Sequence, residues 1–236
     1  MRIGFDMDGV LADFSAAYYA VEDRLFPATP HSRAGDPAEE ARAEEKRDAG
    51  SADADAQPDA RAELVGLRRR REAVWRAIAA TPNFWTTLEA TEKDAVRRIH
   101  EMMLRHRWEV FFITQRPATE GDTVQRQTQR WLVEQGFDLP SVLVINGSRG
   151  AAAGAIRLDY HVDDSPQNCI DVKSESTAKP LLIVESPDEA TIASSRRLRI
   201  GIAPSISRAL DLLEEASLKR AQPGLLDKLA QLVGWV

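Results

Sequence analysis

Short apolar runs recur along the chain and, from residue 91 onward, are separated by stretches with helical spacing. The runs have the length of β-strands and are apolar almost without interruption, which is typical of strands covered on both faces. We predict strands at RIGFD (2–6), WEVFFIT (108–114), SVLVIN (141–146), DYHVDD (159–164), PLLIVE (180–185) and LRIGI (198–202).

Helices are predicted where apolar residues recur every three or four positions. They span residues 91–106 with Thr91 as the N-cap, 123–136 with Gly136 at the end, and 205–216 with Ser205 or Ser207 as the cap. Strand and helix therefore alternate from residue 91 to residue 216. This order predicts an α/β fold with a Rossmann-like, doubly wound parallel sheet, in which functional groups gather at the carboxyl ends of the strands.

One insertion interrupts this alternation. Residues 28–62 contain almost no large apolar side chain and consist mostly of Ala, Asp, Glu and Arg, so burial cannot offset the entropy of ordering them. Helical patterns at 14–26 and 63–80 flank the segment. We therefore expect a helical cap over residues 18–83, inserted after the first strand, with a flexible middle at 28–62.

The remaining residues complete the predicted domain organisation. Residues 1–17 and 84–216 form the core domain, and residues 217–236 form a C-terminal amphipathic helix. We expect this helix to pack on its own domain, because its polar face has few of the cations that anchor a helix at a membrane surface. Docking on a partner subunit is the alternative, so a homodimer stays open.

Composition narrows the possible classes of protein. With 236 residues, 43% of them hydrophobic, the chain can bury one sizeable core. The net charge of -6 argues against a nucleic acid polymer as a partner. The single cysteine, Cys169, excludes a disulfide framework and favours a reducing compartment. No apolar run approaches the roughly 18 residues of a membrane span, and the N-terminus begins with a strand, so we expect a cytoplasmic protein without a membrane partner.

Two carboxylates lie at and just after the end of the first predicted strand. Asp6 ends the strand, Asp8 comes two residues later, and Gly9 lets the backbone curl around a ligand. The period of two would direct both side chains the same way if the strand continued to Asp8. Because clustered carboxylates repel each other unless a cation neutralises them, the pair indicates a hard divalent ion with oxygen ligands.

A second acidic pair supports this interpretation. Asp163 and Asp164 end another predicted strand, just before Ser165 and Pro166 close a turn. Taken alone, this pair fits a turn or a helix cap as well as a metal site. Together with Asp6 and Asp8 at the same sheet edge, it predicts a Mg²⁺ site.

A third strand end adds a candidate anion site. Thr114 would offer its hydroxyl there, and Gln115 and Arg116 would follow with backbone N–H groups and a guanidinium. Carboxylates that hold a metal beside an anion site are what phosphoryl transfer through an aspartyl-phosphate requires.

Three stretches resemble a known family. DMDGVLADF (6–14), FFITQRP (111–117) and HVDDSP (161–166) are similar to the first, second and fourth motifs of the haloacid dehalogenase-like superfamily. The branch that they resemble most is the 5'(3')-deoxyribonucleotidases. The resemblance covers roughly residues 1–20 and 82–216.

The resemblance implies a role for each motif residue. Asp6 would be the nucleophile that forms the phospho-enzyme, and Asp8 would protonate the leaving alcohol and then activate water. Thr114 would bind the phosphoryl group. Mg²⁺ would be held by Asp6, the Asp8 carbonyl and the second acidic pair, with Asp164 favoured over Asp163.

Two departures from the family accompany the resemblance. The third motif should supply a lysine, but this sequence offers Arg149 at that position, with Lys173 as a second candidate for the missing cation. Arginine is a planar fork and lysine a compact point charge, so the two are not interchangeable. The aromatic stretch that packs on the base in the nucleotidase branch has no counterpart in residues 28–62.

The sequence thus predicts a Mg²⁺-dependent phosphomonoester hydrolase for a small soluble phosphate ester, with a nucleotide as the first guess. One alternative is a catalytically weak binding or regulatory protein that keeps the fold and the metal. A phosphomutase is the other.

Overall fold

A parallel sheet forms the centre of the molecule. A computed structural model describes residues 1–27 and 58–221 of the chain. Its six strands are arranged in the order β3-β2-β1-β4-β5-β6, and all neighbours pair in parallel. The strands are β1 (Arg2–Asp6), β2 (Glu109–Thr114), β3 (Val142–Val144), β4 (Tyr160–Asp163), β5 (Lys179–Ile183) and β6 (Gly201–Ala203). The predicted doubly wound α/β fold is confirmed.

Strand β1 occupies the centre because both of its faces can be covered. Ile3 and Phe5 point to one face and are fully buried. On the other face, Gly4 leaves room for neighbours, since a Cβ atom there would lie 2.6 Å from Leu158 Cδ1 and 2.8 Å from His161 Nδ1. The strand therefore has a partner on each side and a packed layer on each face.

Eight α-helices and one short 3₁₀ helix occupy the described ranges. They are α1 (Phe14–Leu25), α2 (Pro58–Ala79), the 3₁₀ helix Phe84–Thr86, α3 (Ala95–His106), α4 (Val124–Glu134), α5 (Arg149–Ala155), α6 (Pro166–Glu175), α7 (Glu189–Leu198) and α8 (Ile206–Ala221). The sheet divides the apolar core, because Phe112 belongs to the larger cluster and its neighbour Ile113 to a second one. None of the helices in these ranges has the length and apolarity needed to cross a bilayer.

The predicted start of the helix at 91 is wrong. Helix α3 begins at Ala95, and Asp94 before it has a left-handed backbone with φ of 64°. Thr91 binds the loop after β1 instead, since its N–H donates to Leu11 O at 2.9 Å and its hydroxyl donates to Val10 O at 2.7 Å. The hydroxyl that fits an N-cap in the sequence is thus used for a contact across the fold.

The predicted strand at 198–202 is displaced by helix α7. This helix continues to Leu198, and Arg199 after it has a φ of 57°. The N–H of Ile200 donates to Ser195 O at 2.9 Å, which closes the helix end rather than starting a strand. Strand β6 therefore begins only at Gly201. Of the two caps proposed for the last helix, Ser205 is the one used, since Arg208 N donates to its Oγ at 3.2 Å.

Helices α1 and α2 lie beside the core where the cap was expected. Phe14 stacks on Trp75 of α2 with ring centroids 5.4 Å apart, and the side chains of Glu22 and Arg70 form an ion pair at 2.6 Å. Most of the predicted flexible middle, 28–57, lies outside the described residues, while 58–62 form the start of α2. The predicted tail continues α8 as far as Ala221, and 222–236 lie outside the described residues.

Candidate functional site

Three neighbouring strands end at the same edge of the sheet with polar residues. Asp6 is the last residue of β1, Thr114 of β2 and Asp163 of β4. The strand pairing sets this alignment, because Asp6 lies opposite Ile113 and Phe5 lies opposite Val162. Residues more than 100 positions apart in the sequence thus meet at one edge, as expected for an open α/β sheet.

The acidic residues of this edge form a compact group. One carboxylate oxygen from each of Asp6, Asp163 and Asp164 lies within 4.8 Å of the others. Asp6 and Asp163 are buried and Asp164 is half-buried. Buried carboxylates at this spacing are the oxygen donors that Mg²⁺ prefers, so the donor set fits the metal implied by the sequence.

The carboxylate oxygens of Asp163 already accept several hydrogen bonds. Its carboxylate accepts from Ser165 N at 2.9 Å, from Asn168 Nδ2 at 3.0 Å, and from His161 Nε2 at 2.8 Å. Burial alone would raise the pKa of Asp163, but the hydrogen bond and charge of His161 and the charge of Arg149 outweigh burial and lower it. Asp163 is therefore held as an anion whose lone pairs are largely used.

Asp164 lies directly over the turn at Gly9. A Cβ atom on Gly9 would lie 1.8 Å from Asp164 Oδ2, and the backbone of Gly9 has a φ of 83°. Only glycine allows both this conformation and this close approach. The turn after β1 and the end of β4 thus fit together, and Asp164 is the better placed of the two acids to serve as a ligand.

A buried guanidinium faces the acidic group. Arg149 is the first residue of α5, is only 2% exposed, and donates from Nη2 to Asp6 Oδ1. Its Nε lies 3.6 Å from Asp163 Oδ2. Burial would lower the pKa of Arg149, but the attraction of Asp6, Asp163 and Asp8 raises it above its ordinary value. Arg149 therefore stays a cation beside Asp6.

Helix packing holds Arg149 in this position. Ser148 caps α5 by accepting from Gly150 N at 2.9 Å. Gly150 lets α5 press against α6, since a Cβ atom there would lie 2.1 Å from Asp171 O. The second candidate cation, Lys173, is exposed in the last turn of α6. It lies ~10 Å along the helix axis from Pro166, which begins α6 at the site.

The three predicted anion-binding residues, at and after the end of β2, differ in their exposure and contacts. Thr114 is 1% exposed, and Gln115 is half-buried. Arg116 turns towards Asp8 and donates to its carboxylate, with Nη2 2.7 Å from Oδ1 and Nε 2.9 Å from Oδ2. The guanidinium expected to bind phosphate is thus engaged with the second aspartate of the first motif.

The sequence interpretation missed three supporting residues. His161 is fully buried and lies two positions before Asp163, so the period of the strand already directs both side chains to one face. Trp85 lies with its ring centroid 4.8 Å from the guanidinium carbon of Arg116, and Thr128 accepts from Arg116 Nη1 at 3.0 Å. No local pattern signals the last two contacts, because they join separate elements.

Comparison with known proteins bears on the fold. No family model and no curated protein matches the sequence. A protein proposed to be a β-phosphoglucomutase from Thermotoga maritima matches with a TM-score of 0.52 and 18% identity, over 91% of this chain and 98% of that chain. A hydrolase from Pseudomonas syringae matches with a TM-score of 0.50 and 14% identity, over 91% and 99% of the two chains. A HAD-superfamily hydrolase of subfamily IA from Geobacter sulfurreducens has a TM-score of 0.47 and 14% identity, over 90% and 95%.

The chain has the fold of the Thermotoga maritima and Pseudomonas syringae proteins. The likeness extends over nearly the whole of each chain. At these identities it establishes the fold and not the reaction. The resemblance to the 5'(3')-deoxyribonucleotidase branch stays a prediction.

Proposed function

We propose that this chain is a phosphomonoester hydrolase that depends on Mg²⁺ and works through an aspartyl-phosphate on Asp6. The observation that carries the proposal is the buried cation beside the candidate nucleophile. Arg149 donates to Asp6 through Nη2, and its Nη1 is buried without a hydrogen-bond partner among the residues that the structure describes. A buried, charged donor with an open hydrogen-bond position is suited to a phosphate oxygen.

The residues of the site divide the proposed reaction between them. A carboxylate oxygen of Asp6 attacks phosphorus, the ester P–O bond breaks, and Asp8 gives its proton to the leaving oxygen. A water oxygen then attacks phosphorus while Asp8 takes a proton from that water. The bond between Asp6 and phosphorus breaks, which releases inorganic phosphate and restores the free carboxylate.

The acidic group would hold the metal. Asp6, Asp164 and the backbone carbonyl of Asp8 would be its ligands, and the bound ion would neutralise charge on the phosphoryl oxygens. Asp163 would lie next to the metal without being one of its ligands, because its oxygens already accept hydrogen bonds from Ser165, Asn168 and His161.

The substrate proposed is a small phosphate ester, with nucleotides tested first. Tyr19 of α1 and Trp75 of α2 are half-buried members of an aromatic cluster. The cluster reaches the site through Phe14 and Trp85, whose ring centroids are 5.6 Å apart. The apolar surface of this cluster is suited to a leaving alcohol that carries an aromatic base, such as a nucleoside, and does not require one.

The proposal is tested by phosphate release with and without Mg²⁺. We expect the wild-type chain to hydrolyse p-nitrophenyl phosphate and some members of a panel of phosphorylated metabolites. Asp6→Asn should reduce turnover to below about a thousandth, because it removes the nucleophile at almost constant volume. Asp138→Asn, an exposed aspartate outside the site, is the matched control and should behave as wild type.

The two alternatives give different results in the same assay. A binding or regulatory protein would bind phosphate esters and release no phosphate. A phosphomutase would move the phosphoryl group between positions of a sugar phosphate faster than it releases phosphate. Full activity of Asp6→Asn after removal of contaminating phosphatases would show that Asp6 is not the nucleophile.

A further inference from the structure

We propose that Arg116 is a positioning residue that fixes the Asp8 carboxylate for its proton transfers. The inference rests on the proposed function, because it concerns the acid–base steps of that reaction. It gives Arg116 a task different from the phosphate contact expected from the sequence.

The two side chains meet through both oxygens of the carboxylate. Arg116 Nε donates to Asp8 Oδ1 at 3.1 Å and to Oδ2 at 2.9 Å, and Nη2 donates to Oδ1 at 2.7 Å. A planar guanidinium that binds both oxygens resists rotation of the carboxylate, because rotation breaks hydrogen bonds. The pair therefore sets the plane of the Asp8 carboxylate as well as its position.

The guanidinium itself is fixed by other elements. Its Nη1 donates to Thr128 Oγ1 of α4 at 3.0 Å, and its carbon lies 4.8 Å from the ring centroid of Trp85. The indole of Trp85 is held in turn, because Nε1 donates to Pro117 O at 2.9 Å. Asp8 lies in the loop after β1, and its carboxylate is thus oriented from a helix and a buried ring outside that loop.

The two side chains of the pair differ in their exposure to solvent. The side chain of Arg116 has no exposed surface, whereas the side chain of Asp8 is 19% exposed. Asp8 is therefore the member of the pair that a substrate can reach. Arg116 acts through Asp8 and does not itself contact the reacting atoms.

Substrates with different leaving groups can show whether Arg116 orients Asp8 or only stabilises the fold. An alkoxide leaves only when Asp8 delivers a proton to it as the P–O bond breaks, whereas nitrophenolate leaves without this help. The ratio kcat/KM reports the steps up to the breaking of the ester bond. Loss of positioning should therefore cost more kcat/KM for alkyl phosphates than for p-nitrophenyl phosphate.

The test compares these two substrate types in Arg116→Met. We expect kcat/KM for glycerol phosphate, or for the best alkyl phosphate of the panel, to fall about a hundredfold, and kcat/KM for p-nitrophenyl phosphate to fall less than about tenfold. In an Asp8→Asn background, Arg116→Met should add less than about twofold, because the two residues act as a unit.

Two further variants distinguish a loss of positioning from a general folding defect. Thr128→Val removes one support of the guanidinium and keeps both charges, so it should show a smaller loss with the same dependence on the leaving group. Arg98→Met removes another Arg–Asp ion pair, formed with Asp211 at 2.6 Å between α3 and α8, and should leave both substrates unaffected.

Equal losses for both substrate types, or additive losses in the double variant, overturn the inference. If the wild-type chain hydrolyses neither substrate and Asp6 is never phosphorylated, the proposed function falls and the inference falls with it. If the wild type hydrolyses both substrates and neither Arg116→Met nor Thr128→Val changes their ratio, the inference alone is wrong.

Discussion

Arg149 places a permanent positive charge inside a group of carboxylates. Its guanidinium contacts Asp6 and lies 3.6 Å from Asp163 Oδ2. A guanidinium keeps its proton under all ordinary conditions, so this charge persists whether or not a metal or a phosphate is present. The site is thereby partly neutralised before any ligand arrives.

We predict that Arg149→Ala lowers turnover by about two orders of magnitude, since an electrostatic contact in a dry site is worth ~3 kcal/mol. Arg149→Lys should restore part of this activity, because lysine restores the positive charge but not the planar guanidinium with its paired N–H donors. The measurement is kcat/KM with p-nitrophenyl phosphate. Lys173→Ala is the matched control, and its inactivation together with normal activity of Arg149→Ala would transfer the role to Lys173.

Removal of the same charge should strengthen metal binding. Arg149 competes electrostatically with a divalent cation for the carboxylate of Asp6. Mg²⁺ should therefore raise the melting temperature of Arg149→Ala more than that of the wild type. Calorimetric titration with Mg²⁺ alone checks the affinity without reference to catalysis, and an unchanged or weaker affinity would contradict the electrostatic argument.

Gly9→Ala tests the fit between the first turn and Asp164. The new methyl group would collide with Asp164 Oδ2, and alanine disfavours the positive φ of this position. We expect weaker Mg²⁺ binding and loss of most Mg²⁺-dependent turnover. Gly66→Ala in α2 is the control, because no residue in the described part of the chain lies within 4 Å of its added methyl group; it should be neutral or stabilising.

Single residues differ in how far the sequence predicts them. Asp6, Asp163 and Asp164 lie at the ends of predicted strands, so their place at one edge of the sheet could be predicted from local pattern. Their proximity also depends on the pairing of β1 with β4, which that pattern does not give. The pairing of Arg116 with Asp8 could not, because it depends on the side-chain direction of a residue beyond the strand end. Tertiary contacts decided that direction.

At the scale of elements, helix α4 supports the loop that follows β2. Gln127 of this helix is fully buried; its Nε2 donates to Asp122 O at 2.6 Å and to Thr119 Oγ1 at 3.0 Å. Its Oε1 accepts from Trp85 N at 3.1 Å. One side chain thus connects α4, the loop after β2 and the 3₁₀ helix that contains Trp85.

We predict that Gln127→Leu destabilises the protein by about 2 kcal/mol, because it leaves the buried Trp85 N–H and a carbonyl group without partners. Urea unfolding followed by circular dichroism measures the change in the free energy of unfolding. Gln167→Leu, which removes only an exposed contact with Asp171 on α6, should change it by less than about 0.5 kcal/mol. Equal effects of the two substitutions would show that the connection is unimportant.

Boundaries of elements were harder to predict than their existence. The six strands occur at or beside the predicted apolar runs, and helices α3, α4 and α8 occur where apolar spacing indicated them, since that spacing reflects burial. Helices α6 and α7 were not among the predicted helices. The start of α3 and the start of β6 were displaced, because Thr91 binds the loop after β1 and Arg199 closes α7 in a left-handed conformation. Both outcomes depend on contacts or backbone conformations that apolar spacing does not encode.

At the scale of the whole molecule, helix α8 is docked on α3 partly by charge. Asp211 accepts from Arg98 at 2.6 Å, and Glu214 accepts from His106 at 2.9 Å. The hydrogen bond from Arg98 lowers the pKa of Asp211, and the hydrogen bond from His106 lowers the pKa of Glu214. Both carboxylates therefore favour the folded state as anions.

The sign of the resulting pH dependence follows from these lowered pKa values. A carboxylate with a lower pKa in the folded state stabilises the protein fully above its unfolded pKa of about 4, and this contribution is lost as the pH falls through the folded pKa. We predict that the urea midpoint declines below about pH 4. In the double variant Asp211→Asn/Glu214→Gln the decline should be shallower, and an identical decline would assign the acid sensitivity to other groups. Both side chains are partly exposed, so added salt should reduce the difference.

The central position of β1 has a consequence for the making of the protein. Its two neighbours, β2 and β4, begin at Glu109 and Tyr160, so this strand has no partner until β2 has been synthesised and lacks its second partner until β4 follows. At a synthesis rate of about 5–20 residues per second, Asp6 leaves the ribosome on the order of ten seconds before Val162. Both edges of this apolar strand stay unpaired until β2 has been made, and one edge stays unpaired until β4 has been made. An unpaired edge is the condition under which strands join other chains. The placement that surrounds Asp6 with the other strand ends thus exposes the first strand to aggregation while the protein is being synthesised.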